Sequence, residues 1–405
     1  MRHIHPFPAR MAPEIVLSKL SKLPKGYTVL DPMSGSGMVL SQASKSGLHA
    51  IGYDLDPLAR MISRAGSTRV SEKKAEEALE KLIFASKKLL GRRKDIILDW
   101  IDDDKETSDF VDFWFYSKQI KQLRALSYCL VTQPIINNKK ILEILKVSLS
   151  RLIITKEPKA SLARDAAHSR PHKTISKNDF DIFHELPVSL KHVLKSLDSP
   201  SIQFDAKTYL GDARQMTRVG NESIDAIITS PPYLNAIDYM RGHRLSLVWL
   251  GYRLGELRNI RSKSIGTERT VIGSDDSIFN ETVKELGLKK LDSKNLNMLN
   301  RYFYDLLLQL NESYRVLKKG GSATYVIGNS TIRGKYISNS ELLKKAGKLA
   351  GFKVCNESIR EIPDNRRYLP VVTKSKNSLA SRMRTEHVIE FVKTVRRSPK
   401  LGRSR

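Results

Sequence analysis

The chain has 405 residues, 40% of them hydrophobic and 28% charged, so it carries enough apolar matter for a globular core of two or three domain-sized units and too much for a disordered chain. Two cysteines, Cys129 and Cys355, exclude a disulfide framework or a cysteine metal cluster, and no run of 18 apolar residues occurs, so a cytoplasmic protein that spans no membrane is expected. Lysine and arginine number 70 against 43 acids, and a net charge of +27 repels itself unless a polyanion is at hand, which makes nucleic acid the expected partner.

Prolines 6, 8 and 13 make a stiff arm of the amino-terminal segment, ahead of a helix expected over 14–20. Tyr27-Thr28-Val29-Leu30 then reads as a short strand and runs into Asp31-Pro32-Met33-Ser34-Gly35-Ser36-Gly37 before an apolar helix start at Met38. Strand, glycine turn and helix in this order bring backbone close to a ligand, with the Asp31 carboxylate beside it. A dinucleotide fingerprint would want a third glycine at position 40, which is leucine. S-adenosylmethionine suits the turn better, because it has no pyrophosphate to cradle and carries an ammonium and a sulfonium for an acid to offset. The candidate cofactor residues here are Asp31, Pro32, Ser34, Gly35 and Gly37. A second strand ends in Asp54-Leu55-Asp56-Pro57. Asp54 stands where nucleotide-binding α/β units place a ribose ligand, and Asp56 is either a second such acid or the cap of the helix starting at Pro57.

Residues 72–205 interrupt the strand-helix rhythm, with helices expected over 76–90, 116–130 and 141–154. The aromatic run at 110–116 reads as a hydrophobic anchor, and the stretch 160–173 reads either as a phosphate-contacting loop or as a solvated one. The sheet resumes with a strand ending in Gly211-Asp212. Ile224 to Ile228 is a buried strand stopped by two prolines, which cannot continue a ladder, so the chain leaves the sheet at a carboxyl end, where open α/β sheets bind ligands. The stretch that follows is Ser230-Pro231-Pro232-Tyr233: a hydroxyl, a non-donating carbonyl and a π-face, suited to holding a flat heterocycle by its exocyclic amine. A helix-like stretch over 234–250 brings Tyr239, Arg241, His243, Arg244 and Trp249 near it. Residues 256–300 are polar and basic. The clearest amphipathic helix runs from Leu299 to Leu317 and should end at Gly320-Gly321. A fifth strand at 322–327, a helix at 340–349 and strands near 352–355 and 387–392 complete the pattern. After Glu390 come Lys393, Arg396, Arg397, Lys400, Arg403 and Arg405, an acid-free tail expected to bind phosphates.

The proline arm, Asp-Pro-x-x-Gly-x-Gly, acidic strand end, Gly-Asp and Ser-Pro-Pro-Tyr together resemble the S-adenosylmethionine-dependent DNA amino-methyltransferases, whose motif is Asp, Asn or Ser followed by Pro-Pro-Tyr. The resemblance implies an α/β class I (Rossmann-like) methyltransferase fold, a mostly parallel seven-stranded sheet with an inserted helical region. Its catalytic core would span 1–71, 206–255 and 299–395. Outside the resemblance, the inserted region at 72–205 is expected to carry part of the target recognition, the basic insertion at 256–298 to contact DNA, and 396–405 to be the basic tail. Phe7, Pro8 and Arg10 would line the methionine end of S-adenosylmethionine, Asp212 would meet its adenine amine, and Ser230, Pro231, Pro232 and Tyr233 would be catalytic, with no metal involved. The substrate implied is double-stranded DNA, with a restriction endonuclease of the same system as a further partner. Serine at the first motif position favours N4 of cytosine; N6 of adenine and an RNA base amine are the alternatives. Methylation at carbon 5 needs a cysteine nucleophile, and Tyr233 follows the prolines instead. Two features depart from the family: Met33 replaces the usual phenylalanine, and the large insertion precedes Gly-Asp.

Overall fold

The β-branched and apolar runs assemble one sheet. Its strands are β1 (Thr28–Asp31), β2 (His49–Asp54), β3 (Lys207–Leu210), β4 (Ile224–Thr229), β5 (Leu317–Gly328), β6 (Lys353–Glu361) and β7 (Thr385–Val392). The computed structural model describes residues 3–8, 10–92, 95–165, 170–234, 238–266, 276–287, 291–332, 335–362 and 384–394. The strands lie in the order β3-β2-β1-β4-β5-β7-β6, with β7 antiparallel to both neighbours and every other pairing parallel. This is the class I methyltransferase fold. The order reverses between β1 and β4, whose carboxyl ends carry Asp31 and Ser230, so the crevice at this switch point is where a ligand is expected. The middle of the sheet is apolar on both faces, with Val29, Leu30, Ala226, Ile227 and Ile228 all buried, as a parallel sheet covered by helices requires. The edge strand β6 is exposed along nearly its whole length, and its lysine, arginine and glutamates blunt it against pairing with other chains.

Helices α1 (Pro13–Leu20), α2 (Met38–Lys45) and α3 (Pro57–Ala65) alternate with the first strands. Five longer helices then build the region between β2 and β3: α4 (Glu72–Leu90), α5 (Lys105–Trp114), α6 (Ser117–Ser127), α7 (Lys139–Ile153) and α8 (Ile182–Leu197). Leu82, Leu123, Leu145 and Leu186 from them share one apolar core with Leu58 and Ile62 of α3, so this helical region is fused to the flank of the sheet. Two helices after the Pro-Pro-Tyr turn, α9 (Met240–Leu247) and α10 (Leu254–Lys263), bury Leu245, Leu247, Leu254 and Leu257 in the same core. By contrast α11 (Asp276–Glu285) and α12 (Ser293–Val316) put Phe279, Val283, Leu299 and Phe303 against the sheet, and α13 (Asn339–Leu349) joins them through Leu342 and Leu343. The basic stretch 256–298 thus divides its apolar residues between two cores.

Several details depart from the sequence reading. The amphipathic helix does not run to Gly320-Gly321: it stops at Val316, and β5 starts at the next residue. The glycines instead form an irregularity inside β5, because Ile224 pairs with Leu317 and Ala226 already with Ser322. A Cβ on Gly321 would lie 2.9 Å from the Lys318 carbonyl oxygen, so the fold of this bulge requires glycine. The carbonyls at the end of α12 are capped by Lys393, whose buried ammonium donates to Tyr314 O at 2.8 Å and Leu317 O at 2.7 Å. Lys393 therefore belongs to the core and not to a phosphate-binding tail. The stretch 234–250 is helical only from Met240, and the helix expected over 116–130 gives way at Tyr128 to a wide π-turn. Helices α5 and α8 have no counterpart among the expected elements. Ala9, 166–169 of the loop at 160–173, 235–237, 267–275, 288–290 and the tail from 395 lie outside the described residues.

Candidate active site

The switch point joins β1 to β4 through side chains as well as backbone. Asp31 is buried at the end of β1 and accepts from the hydroxyl of Thr229, the last residue of β4, at 2.8 Å, and from Met33 N at 3.2 Å. Desolvation raises its carboxyl to about 7; the two hydrogen bonds work against that, and the charge of Asp54 adds to it. Gly35 and Gly37 both take positive φ, 48° and 75°. A Cβ at Gly37 would fall 2.5 Å from Ser63 Cα, so the turn presses against α3 and admits no side chain. Pro32 and Ser34 are buried in the same turn, and Ser34 N donates to Tyr53 O at 2.8 Å. Asp54 closes the turn from β2 by accepting from Gly35 N at 2.7 Å and Asp56 N at 2.9 Å. It keeps some surface open to solvent yet lies deep enough that desolvation, with the neighbouring Asp56 charge, lifts its carboxyl to about 7. Among the described residues no lysine or arginine pairs with Asp31 or Asp54.

Of the two roles the sequence left open to Asp56, the structure shows the helix cap. Its carboxylate caps α3 by accepting from Leu58 N and Ala59 N, and it holds His243 Nδ1 of α9 at 2.6 Å. Burial would raise its carboxyl, but His243 and the two cap amides outweigh that and leave it lower than usual. The His243 ring lies 5.4 Å from Phe7, which also stacks on Tyr239 at 5.2 Å and 24°. Phe7 reaches the glycine turn as well, within 3.3 Å of where a Gly35 Cβ would stand. The arm is pinned by His5, whose Nε2 lies 2.8 Å from Ser150 Oγ on α7. Pro8 is buried, and half-buried Arg10 lines a shallow cleft with Ser36 and Gly37.

At the end of β4 the two prolines turn the chain out of the sheet, and neighbouring elements hold the turn at four points. Ser230 Oγ donates to Val326 O of β5 at 2.9 Å. Tyr233 OH donates to Glu386 of β7 at 3.1 Å and lies 3.4 Å from Ser230 Oγ. Tyr302 of α12 donates to Pro232 O at 3.0 Å, and Ser330 Oγ to Leu234 O at 2.7 Å. Burial and the Glu386 carboxylate raise the Tyr233 phenol well above its usual range, so it stays protonated and serves as a donor. Pro231 is buried, whereas Ser230, Pro232 and Tyr233 are half-exposed.

Asp212, on the loop after β3, is gripped by the guanidinium of Arg214 through Nε at 3.0 Å and Nη2 at 2.7 Å, and Arg214 also pairs with Asp305 of α12. Burial alone would lower that guanidinium, but its two carboxylates outweigh burial and hold it above its usual range. Asp212 therefore stands with a cation already on it, unlike Asp31 and Asp54. Thr229, Glu386 and the Asp56 bond to His243 were not legible in the sequence, because each becomes a partner only through strand order or helix docking.

No family model matches the chain. It is 23% identical to the type II methyltransferase M.MvaI of Kocuria varians over a 406-residue alignment that covers 89% of this chain and 84% of the relative. Over 388 residues it is 23% identical to the type II methyltransferase M.BsoBI of Geobacillus stearothermophilus, covering 82% and 74% of the two chains. A shorter match, 30% over 158 residues, spans 34% of this chain and 32% of the type II methyltransferase M.AvaI of Nostoc sp.. With the methyltransferase strand order, a glycine turn and a Pro-Pro-Tyr turn at one switch point, the chain is similar over more than four fifths of its length to type II methyltransferases.

Proposed function

We propose that this chain transfers a methyl group from S-adenosylmethionine to the exocyclic N4 amine of a cytosine turned out of double-stranded DNA. The observation that carries this reading is the position of the Ser230 hydroxyl, one residue beyond the Asp31–Thr229 bond and at the same sheet end as the glycine turn. Ser230 gives its proton to the Val326 carbonyl, so toward a further partner its oxygen acts as an acceptor, which is what an amine N–H requires. An exocyclic amine is a poor nucleophile because its lone pair is delocalised into the ring. Holding its two N–H groups on Ser230 Oγ and the Pro231 carbonyl localises that pair and aims it out of the ring plane. Tyr233, its hydroxyl fixed on Glu386, offers a ring of set orientation against which the extruded base stacks.

The residues fit the cofactor. Two desolvated carboxylates, Asp31 and Asp54, have no lysine or arginine partner among the described residues, and a sulfonium and an ammonium supply positive charge. Asp54 would accept from the ribose hydroxyls, a role supported by its position at the end of β2, and Phe7 walls the glycine turn. The cofactor, when bound, brings a methyl group already activated by its sulfonium, so the protein's share of the work is alignment. A restriction endonuclease cutting the same site is the partner this reading implies, in keeping with relatives named type II methyltransferases.

Labelled cofactor incubated with DNA or RNA, followed by mass spectrometry of the digested product, tests the reading. N4-methylcytosine in DNA is expected, and Ser230→Ala should lower turnover about a hundredfold while cofactor affinity holds. Tyr233→Ala should lose stacking worth roughly 1–3 kcal/mol. N6-methyladenine would move the target to the other amine, and product on RNA alone would change the substrate class. Formation of 5-methylcytosine, or full activity in Ser230→Ala, would overturn the mechanism.

A further inference from the structure

The outer face of α9 carries a group of charges that the methyl-transfer chemistry does not use. Asp238, just ahead of the helix, has Arg241 Nε at 3.1 Å and Arg261 Nε, from α10, at 2.8 Å, both on the same oxygen. Neither N–H is aligned on that oxygen, which has no hydrogen-bond donor among the described residues, so the ion pairs hold the guanidiniums near one another without using up their forked N–H groups. Both arginines are half-exposed. Arg244, one turn after Arg241 on the same helix, lies 5.1 Å above the Phe110 ring, and its buried Nε has no acceptor among the described residues either. Burial lowers the Arg244 guanidinium, Asp238 opposes that, and repulsion from Arg261 and Arg241 adds to it. Three guanidiniums thus share one carboxylate, an arrangement short of negative charge.

The group adjoins the aromatic wall of the glycine turn, and the Tyr239 phenol is near enough to that of Tyr233 to help raise it. Tyr239, the residue between Asp238 and the helix, stacks on Phe7 at the glycine turn, and on the inner face His243 holds Asp56. Nearby Arg258 makes a useful contrast: its two Nη atoms sit on the two oxygens of Glu106 at 2.7 and 2.6 Å, a fork already filled.

We infer that Arg241 and Arg261, backed by Arg244, form a clamp for a backbone phosphate of the DNA strand that delivers the target base, with Asp238 as the carboxylate that gathers them. The inference rests on the DNA reading above. A phosphodiester accepts two parallel N–H bonds from a guanidinium fork, fixes the strand's register and reads no sequence. Asp238 keeps the two arginines together in its absence and competes weakly for them in its presence.

The test is binding of the full chain to a DNA duplex by fluorescence anisotropy across a salt series, with cofactor affinity and melting temperature measured on each variant. The Arg241→Gln/Arg261→Gln double variant should bind at least about tenfold more weakly at low salt, and its log–log salt slope should be shallower by about 0.9 for each phosphate that is no longer neutralised. Arg258→Gln should match the wild type. Asp238→Asn should bind DNA as tightly as the wild type or more tightly, whereas ion pairs that served only the fold would make it behave like the double variant. A double variant with the wild-type affinity and slope, or Asp238→Asn as weak as the double, overturns the clamp and leaves methylation by the wild type untouched. A wild type that binds no DNA, or only RNA, takes down the functional reading and the clamp with it.

Discussion

Helix α3 separates two buried groups of charge that are built on opposite rules. Along its flank, Arg60 and Arg64 reach across to Glu143 of α7, and burial together with Arg60 lowers the nearby Lys146 ammonium while Glu143 opposes that shift. At its amino end, Asp31 and Asp54 are desolvated with backbone amides and one hydroxyl for company. In the first group the carboxylate is paired by two arginines of the chain itself, and these pairs fasten the helical region to the sheet. The second, in the proposed reading, would be completed by the positive charge of the cofactor. Carboxylates left to a partner from outside are the mark of a site, and carboxylates surrounded by the protein's own cations are the mark of a seam.

That contrast predicts opposite outcomes for the same kind of substitution. Asp31→Asn keeps an oxygen for Thr229 and Met33 while removing a charge, so it should stabilise the ligand-free protein at pH 8 by about 1 kcal/mol or more. The same variant should lose about a hundredfold in S-adenosylmethionine affinity, the usual scale for a buried charge deprived of its partner. Glu143→Gln should do the reverse: it strands three cations in the seam and costs about 3 kcal/mol in thermal or denaturant unfolding, with cofactor affinity unchanged. Calorimetry and unfolding on the two variants give four numbers. Loss of stability in both would erase the distinction.

A pH series sharpens it. Asp31 and Asp54 titrate near 7 when folded and near the ordinary aspartate value of 3.8 when unfolded, so between those values the folded chain binds more protons than the unfolded one. Their contribution to stability is fully present below about pH 3.8 and is lost as pH rises through 7. Asp56 has the opposite sign, since its folded carboxyl is lowered and its contribution disappears on acidification. The ligand-free melting temperature of the wild type should therefore fall more steeply from pH 5 to pH 8 than that of the Asp31→Asn/Asp54→Asn double variant. Cofactor, binding the ionised pair, should raise the wild-type melting temperature more at pH 8 than at pH 5.5. Parallel curves for wild type and double variant would mean that neither carboxyl is perturbed.

How much of this was legible from the sequence follows from the distance over which each feature is encoded. The glycine turn, the acidic end of β2 and the Pro-Pro stop are local, and a mostly parallel seven-stranded sheet is what the family resemblance implied, whereas the strand order is read from the structure. The partners that fix the site come from far along the chain: Thr229 meets Asp31 only when β4 lies beside β1, and Glu386 meets Tyr233 only because β7 is inserted next to β5. Helix α8 was hidden by Pro187, which reads as a breaker; it lies inside the helix, where it forfeits a backbone hydrogen bond, and the buried Phe183, Leu186, Leu190 and Val193 hold the helix on both sides of it. Gly320-Gly321 misled in the other direction, since a glycine pair after an amphipathic run signals a helix cap, and here it makes room for a bulge against Asp225.

The smallest effect concerns the last basic residues, where the sequence puts Lys393 in one acid-free run with the arginines beyond it. The structure separates it from them. Its side chain is buried, its ammonium satisfies two carbonyls at the end of α12, Glu222 lies 3.2 Å away, and the Tyr314 ring is 4.7 Å from Nζ. Lys393→Met keeps the aliphatic stem and removes the donor, so two helix-end carbonyls lose a charged cap, at a cost of about 1–2 kcal/mol. Because this ammonium faces inward, DNA affinity and its salt slope should stay at wild-type values. Truncation after Thr394 removes the remaining basic residues and should do the opposite, leaving stability alone while flattening the salt slope. Unfolding curves and a salt titration on the two variants decide it: a shallower slope in Lys393→Met would return that residue to the phosphate-binding tail.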